Sequence, residues 1–187
     1  MHMPVFNRRA CLMLALTATT AACGSAPDVV SQPSRTIADV LSSDSSFERF
    51  LAAAGPSGAL QTLRGPGPFT VFAFTNSGWA DLPAFTRDSL MSGTEPTRLA
   101  AVMNHLIVEG RHTIASMGGE PKTFTTRNGS RITVDPRNAE RPSVESAGGG
   151  GQGAGVASVG LRSSRIQRPD VEASNGIIHV MTGIIVP

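Results

Sequence analysis

The apolar residues of this chain change their spacing once, near residue 106, and that change limits the folds open to it. Before it, apolar residues recur every three or four positions, as one face of a helix requires; after it they alternate, as a half-buried strand requires. Helices gathered in one half and strands in the other leave no βαβ alternation, so the predicted class is α+β, with helices packed on a layer of hairpins.

In the first half, Thr36 stands ahead of Ile37, Val40 and Leu41, with Asp39 placed to complete a capping box. A second helix is expected from Ser45, with Glu48 three residues on and a stripe of Phe47, Phe50, Leu51 and Ala54 that Gly55-Pro56 ends. Leu60 and Leu63 suggest one more turn before Gly65-Pro66-Gly67-Pro68, which cannot continue a helix. Phe69 to Phe74 reads as a strand apolar on both faces, hence a central one. Asn76 is expected to cap a short helix carrying Trp79. Pro96 opens the most regular helix behind Thr94 as its cap, with the stripe Leu99, Val102, Met103 and Leu106.

In the second half, Phe124-Thr125-Thr126 and Ile132-Thr133-Val134 flank Asn128-Gly129, a hairpin signal in which both central residues tolerate positive φ. Gly148 to Gly155 reads as a loop, and Val156 to Ile166 as one or two strands. Asn175-Gly176 reads as a two-residue turn needing left-handed φ, leading into a last strand that ends at Val186-Pro187.

The N-terminal stretch has a different purpose. Arg8-Arg9 precede Cys11 to Leu16 and then small residues up to Ala21-Ala22-Cys23, which reads as an export signal over 1–22. Its apolar run is shorter than the roughly 20 residues a transmembrane helix needs. Thr20-Ala21-Ala22-Cys23-Gly24 resembles a lipobox, which makes Cys23 the expected lipid anchor, held by at least two acyl chains. An Ala-x-Ala-like cleavage releasing a free periplasmic protein is the other reading, and Asn7-Arg8-Arg9 also resembles a twin-arginine signal. Residues 23–34, small and Pro-rich, read as a tether, leaving 35–187 as a single domain. Placement is expected on a membrane facing the periplasm or cell surface, the outer membrane being favoured because Gly24 is not Asp.

Charge removes one class of function. Setting aside Arg8 and Arg9 from the 16 basic residues leaves them equal to the 14 acidic ones, with a single Lys and no basic cluster, so no nucleic-acid partner is expected. His105 and His179 are the candidates for chemistry, and both read better as structural rings: His105 one position off its helix stripe and bonded to nearby backbone, His179 in an apolar strand holding a partner segment. Neither has a second histidine at ligand spacing, so no metal or other cofactor is expected. A hydrolase is disfavoured by the lack of a G-x-S-x-G elbow. Gly148, Gly150 and Gly153 match G-x-G-x-x-G only as part of a glycine run, with a strand rather than a helix after it.

Three segments resemble the recurring boxes of the fasciclin domain, in order and across roughly 36–187. They are Gly67 to Asn76 continued by Trp79-Ala80-Asp81-Leu82-Pro83; Asn104-His105-Leu106-Ile107-Val108-Glu109-Gly110; and Asp170 to Met181 closed by Ile184-Ile185-Val186-Pro187. Phe74, Trp79 and Thr182 depart from the usual Pro, Phe and Asp, and the Asn138–Gly155 stretch looks longer than the family's connection. The resemblance implies a non-catalytic adhesion or interaction module, with Asn76, Asn104, His105, Asn175, Gly176 and His179 as structural motif positions. It implies a partner that is an envelope or extracellular protein or a glycan. The alternative is a periplasmic carrier holding a small apolar ligand between helices and sheet.

Overall fold

Thr36 does what its place ahead of Ile37 predicts. Its hydroxyl accepts the Asp39 N–H while the Asp39 carboxylate accepts the Thr36 N–H at 3.0 Å, and this box starts helix α1 (Ile37–Ser42). The structure, a computed structural model, describes residues 34–93, 95–138, 141–147 and 162–187. The expected signal 1–22, Cys23, the tether up to residue 33, the Thr94 cap, the Gly148–Gly155 loop and the start of the strand at Val156 lie outside those residues.

The second helix begins differently from the expectation. Asp44, not Ser45, is the cap: its carboxylate accepts the Ser46 N–H at 2.9 Å, and a 3-10 turn over Ser45–Phe47 runs into α2 (Glu48–Ala54). A carboxylate one residue earlier is an equally favoured cap at the positive end of a helix. Helix α3 (Ala59–Arg64) and strand β1 (Phe69–Phe74) follow as the pattern implies. Thr75 caps α4 (Asn76–Ala80), its hydroxyl accepting the Gly78 N–H at 3.3 Å, so Asn76 is the first helical residue and its side chain is free for other contacts. Helix α5 (Ala84–Met91) had no readable stripe because Leu90 is its one buried residue. Helix α6 (Pro96–His105) keeps Pro96 in its first turn and buries Leu99, Val102 and Met103.

The strands are β2 (Ile107–Glu109), β3 (Lys122–Thr125), β4 (Arg131–Asp135), β5 (Ser143–Ala147), β6 (Ser163–Ala173) and β7 (Gly176–Met181). They form one sheet in the order β2-β1-β7-β6-β5-β4-β3. All neighbours run antiparallel except β1 and β7, which pair in parallel from Phe69 opposite Gly176 to Phe74 opposite Met181. No single crossover helix joins that pair; α4–α6 and β2–β6 all lie between them in sequence. A bridge between Val108 and Thr126, with the Arg127 N–H on the Ile107 carbonyl at 2.9 Å, ties the β3–β4 turn to β2 at the other end of the sheet.

Three strand expectations need correction. β5 falls inside the stretch read as an extended connection, where Val144 is the fully buried side chain that an isolated apolar residue gave no period to reveal. In the β3–β4 turn only Gly129 has positive φ, at 84°, while the Gly129 N–H closes a four-residue turn on Thr126; one left-handed glycine after the turn replaces the two-residue form. The last strand stops at Met181, although Ile184 and Ile185 stay buried beyond it.

The core lies between helices and sheet. Phe50 of α2 meets Phe74 of β1 edge-on at 5.1 Å, and Trp79 of α4 stacks on Phe74 at 5.6 Å. Ile37, Leu41, Leu63 and Met103 close the same cluster from α1, α3 and α6. Burial of such side chains, at about 1.5–3 kcal/mol each, stabilises the packing of helices that are too short to stand alone.

Candidate functional site

The motif positions gather into backbone ties. Asn175 is the densest of them. Its Oδ1 accepts the Ile37 N–H at 2.8 Å, and its Nδ2 donates to the carbonyls of Leu63 and Gly65, each at 2.8 Å. Its own carbonyl accepts the Phe69 N–H at 3.0 Å. One residue therefore joins the start of α1, the end of α3 and the start of β1. Asn175 does not adopt positive φ, because Asp170 is the one non-glycine residue that does so among those described. Gly176, at φ 159°, is close to extended. The turn reading is thus replaced by a packing one: a Cβ at Gly176 would overlap the Phe69 carbonyl oxygen and lie 2.9 Å from Ile37 Cδ1, and a Cβ at Gly67 would overlap the Asn175 carbonyl oxygen.

His179 makes a second tie. Its Nδ1 accepts the Asp170 N–H at 3.2 Å, so the ring is neutral with its proton on Nε2, which donates to the His112 carbonyl at 2.9 Å. Asp170 reaches the same loop through Oδ1, which accepts the Ile114 N–H at 2.9 Å. The Thr70 hydroxyl completes the knot, donating to the Gly110 carbonyl at 2.8 Å and accepting the His112 N–H at 3.0 Å. Burial pushes the His179 pKa down, opposed by its bond to the His112 carbonyl and by Asp170, whose carboxylate lies 3.9 Å from Nδ1.

His105 departs from its expectation. It is fully buried at the end of α6, and neither ring nitrogen has a hydrogen-bond partner. Burial again lowers its pKa, with the neighbouring Asn128 side chain pulling the other way. Asn128 is occupied elsewhere: its Oδ1 accepts the Ser130 N–H at 3.0 Å and its Nδ2 donates to the Ala101 carbonyl at 3.1 Å. Asn104 donates to the Ala100 carbonyl one turn back, at 2.9 Å. Asn76 accepts the Arg49 N–H at 3.0 Å and donates to the Ser45 carbonyl at 2.8 Å, which fixes α4 against α2.

Apart from His105, these groups hold backbone segments in place by hydrogen bonds. Both nitrogens of His179 are engaged, and His105 is closed to solvent, so neither is placed to move a proton to a bound molecule. Among the described residues no three His, Cys, Asp or Glu side chains are arranged to hold a metal. Sequence reasoning missed Asp170, Thr70 and His112 as parts of this knot. One signal was available, since Pro169 inside β6 cannot donate to a ladder and marks an irregular strand. Two surface clefts share Asn76: one of about 610 Å³ between α2, α4 and α5 that includes Arg49, Trp79 and Met91, and a polar one of about 360 Å³ that includes Ser45, Thr75 and Gln167.

Fold and ties together define an α+β domain whose motif residues hold backbone to backbone. The chain belongs to the fasciclin family: the Fasciclin domain matches residues 45–187. It is 29% identical over 160 residues to Protein sll1483 of Synechocystis sp., covering 81% of this chain and 73% of that protein. It is 28% identical over 155 residues to Stabilin-1 of Homo sapiens, covering 83% of this chain but only 5% of Stabilin-1. Among solved structures, a FAS1 domain pair from the insect cell adhesion molecule Fasciclin I shares the fold, with a TM-score of 0.66 and 18% identity over 83% of this chain and 52% of that one.

Proposed function

We propose that this chain is an exported, lipid-anchored, non-catalytic adhesion module of a bacterial envelope. In this reading 1–22 directs export, Cys23 carries the acyl chains that hold the protein at the membrane, 23–34 is the tether, and 35–187 is the displayed domain, whose partner is an envelope or extracellular protein or a glycan. The observation that carries it is the fasciclin match over 45–187, supported by the likeness to a domain pair from a cell adhesion molecule. It is also supported by the full burial of both motif imidazoles, of which His179 ties backbone segments together. No helix among the described residues is long and apolar enough to cross a membrane. We place the contact face on α5, where Phe85 (83% exposed) and Met91 (42% exposed) present large apolar side chains to solvent and Met91 also lines the Asn76 cleft.

The test is capture from envelope extracts of the host with the wild-type chain and with a Phe85→Ser/Met91→Ser variant of equal melting temperature. Enrichment of one partner by the wild type alone is expected; capture of nothing beyond a heat-denatured control sinks the adhesion reading. The mass of the mature N-terminal peptide tests the anchor separately, an unmodified Cys23 thiol being the refuting result.

A further inference from the structure

Helix α1 does not fully cover the sheet beneath it. A cleft of about 140 Å³ remains there, walled by Val40, Leu41, Phe47, Val171, Ile178 and Val180. Its cause lies in β6. The pairing of β6 with β7 slips twice, between Ile166 and Arg168 and again between Arg168 and Val171, and Asp170 within the slip has φ 55°. Extra residues on one strand bend it away from its neighbour. The side chains flanking the slip, Arg168 and Val171 on β6 with Ile178 and Val180 on β7, are those that border the cleft.

The cleft is built to stay open. Leu41, Phe47, Ile178 and Val180 are almost wholly buried, and an unfilled apolar space costs the contacts its walls forgo. Collapse is opposed by the bonds that hold the bulge, from the Asp170 N–H to His179 Nδ1, from the Ile114 N–H to Asp170 Oδ1, and from His179 Nε2 to the His112 carbonyl. His179 thus acts as a positioning residue from the opposite side of β7, where its ring meets Phe72 at 5.3 Å.

The rim sets the chemistry of what can enter. Arg168 pairs with Asp44 at 3.0 Å and lies over the Phe47 ring at 5.7 Å. The Asp44 carboxyl is held below its usual range by the Ser46 N–H first and by Arg168, so the pair is ionised and self-neutralising. That leaves no net charge to draw an ionic headgroup, and at about 140 Å³ the space approaches the roughly 150 Å³ that takes up a benzene ring in an apolar protein interior. We propose that this cleft is a binding site for a small, neutral, apolar molecule of about the size of a benzene ring or a short hydrocarbon chain, entering past the Arg168–Asp44 pair.

The experiment is a benzene titration of the full chain, read by methyl NMR. Saturable shifts are expected at the methyls of Leu41, Val171, Ile178 and Val180. Val171→Phe, which fills the space, should weaken binding by about tenfold or more without lowering the melting temperature. Val40→Leu fills it less and serves if Val171→Phe does not fold. His179→Gln, which loosens the bulge, should weaken binding more than a surface control such as Phe85→Ala. Shifts that never saturate, that centre on α5, or that are unchanged in the filled variants overturn the proposal.

Discussion

Replacing Asn175 by Ala removes one side chain and strands three backbone groups. The Ile37 N–H belongs to the first turn of α1, where no helical partner exists, and the Leu63 carbonyl lies at the end of α3 in the same position of need. Ile37 and Leu63 are fully buried, so water does not easily replace the lost amide; Gly65 is half-buried and more readily solvated. A buried group left unpaired costs about 1–3 kcal/mol and a solvated one about 0.5–1.5, which gives about 2.5–7.5 kcal/mol for the substitution. That is a large part of the 5–15 kcal/mol typical of a domain, and it corresponds to about 5–30 °C in melting temperature for a protein of this size. Urea unfolding followed by circular dichroism reads the change, provided the slope with denaturant is unaltered. Asn175→Asp sharpens the test. Aspartate keeps an acceptor for Ile37 but turns a charged oxygen toward the Leu63 and Gly65 carbonyls, so it is expected to be at least as damaging as Ala. A loss under about 1 kcal/mol for Ala, or wild-type stability for Asp, would refute the three-way tie.

Gly176→Ala is expected to destabilise by about 1–3 kcal/mol through collision with the Phe69 carbonyl, and circular dichroism melts would show it. His105→Leu removes a buried ring with no hydrogen-bond partner for a side chain of similar volume, so stability at neutral pH should be unchanged or higher; a loss above about 2 kcal/mol would mean the ring has an essential partner. Both His105 and His179 have folded pKa values below the ordinary 6.5, so the unfolded chain takes up protons first as pH falls. Their contribution is complete above that value and is lost as pH drops below it, at up to about 1.4 kcal/mol per pH unit for each ring. Denaturant titrations from pH 7.5 to pH 5 should therefore show a shallower loss in His105→Leu than in wild type, and parallel curves would refute the assignment. Thr36→Ala should cost about 1 kcal/mol by opening the capping box of α1, read by the same unfolding curves.

What the sequence made legible was local. The Thr36 box, the apolar run of β1 and the stripe of α6 each specify themselves within a few residues, and each stands where it was expected. Caps slipped by one residue at Asp44 and Thr75 because neighbouring Asp, Ser, Thr and Asn compete for the same donors. α5 and β5 went unread because the buried side chains described in them, Leu90 and Val144, are too isolated to set a period. The ties were illegible for a different reason. Asn175 meets partners 138 and 112 residues away, and nothing near it in the chain says so. The requirement for glycine at 176 was visible, but the neighbour that imposes it, the Phe69 carbonyl, belongs to a strand far back in sequence.

The pairing of β1 with β7 also sets an order on assembly. The strand that completes the middle of the sheet is the last of the described strands in chain order, and the Asn175 tie that seats α1 and α3 comes immediately before it. Until both have emerged, the helical half has only β1 and its neighbour β2 to close on in that part of the sheet, and a chain ending ahead of Asn175 should remain open and protease-sensitive however many of its earlier strands are present. Strand β7, together with the Asn175 tie just before it, thus acts as the latch of the domain.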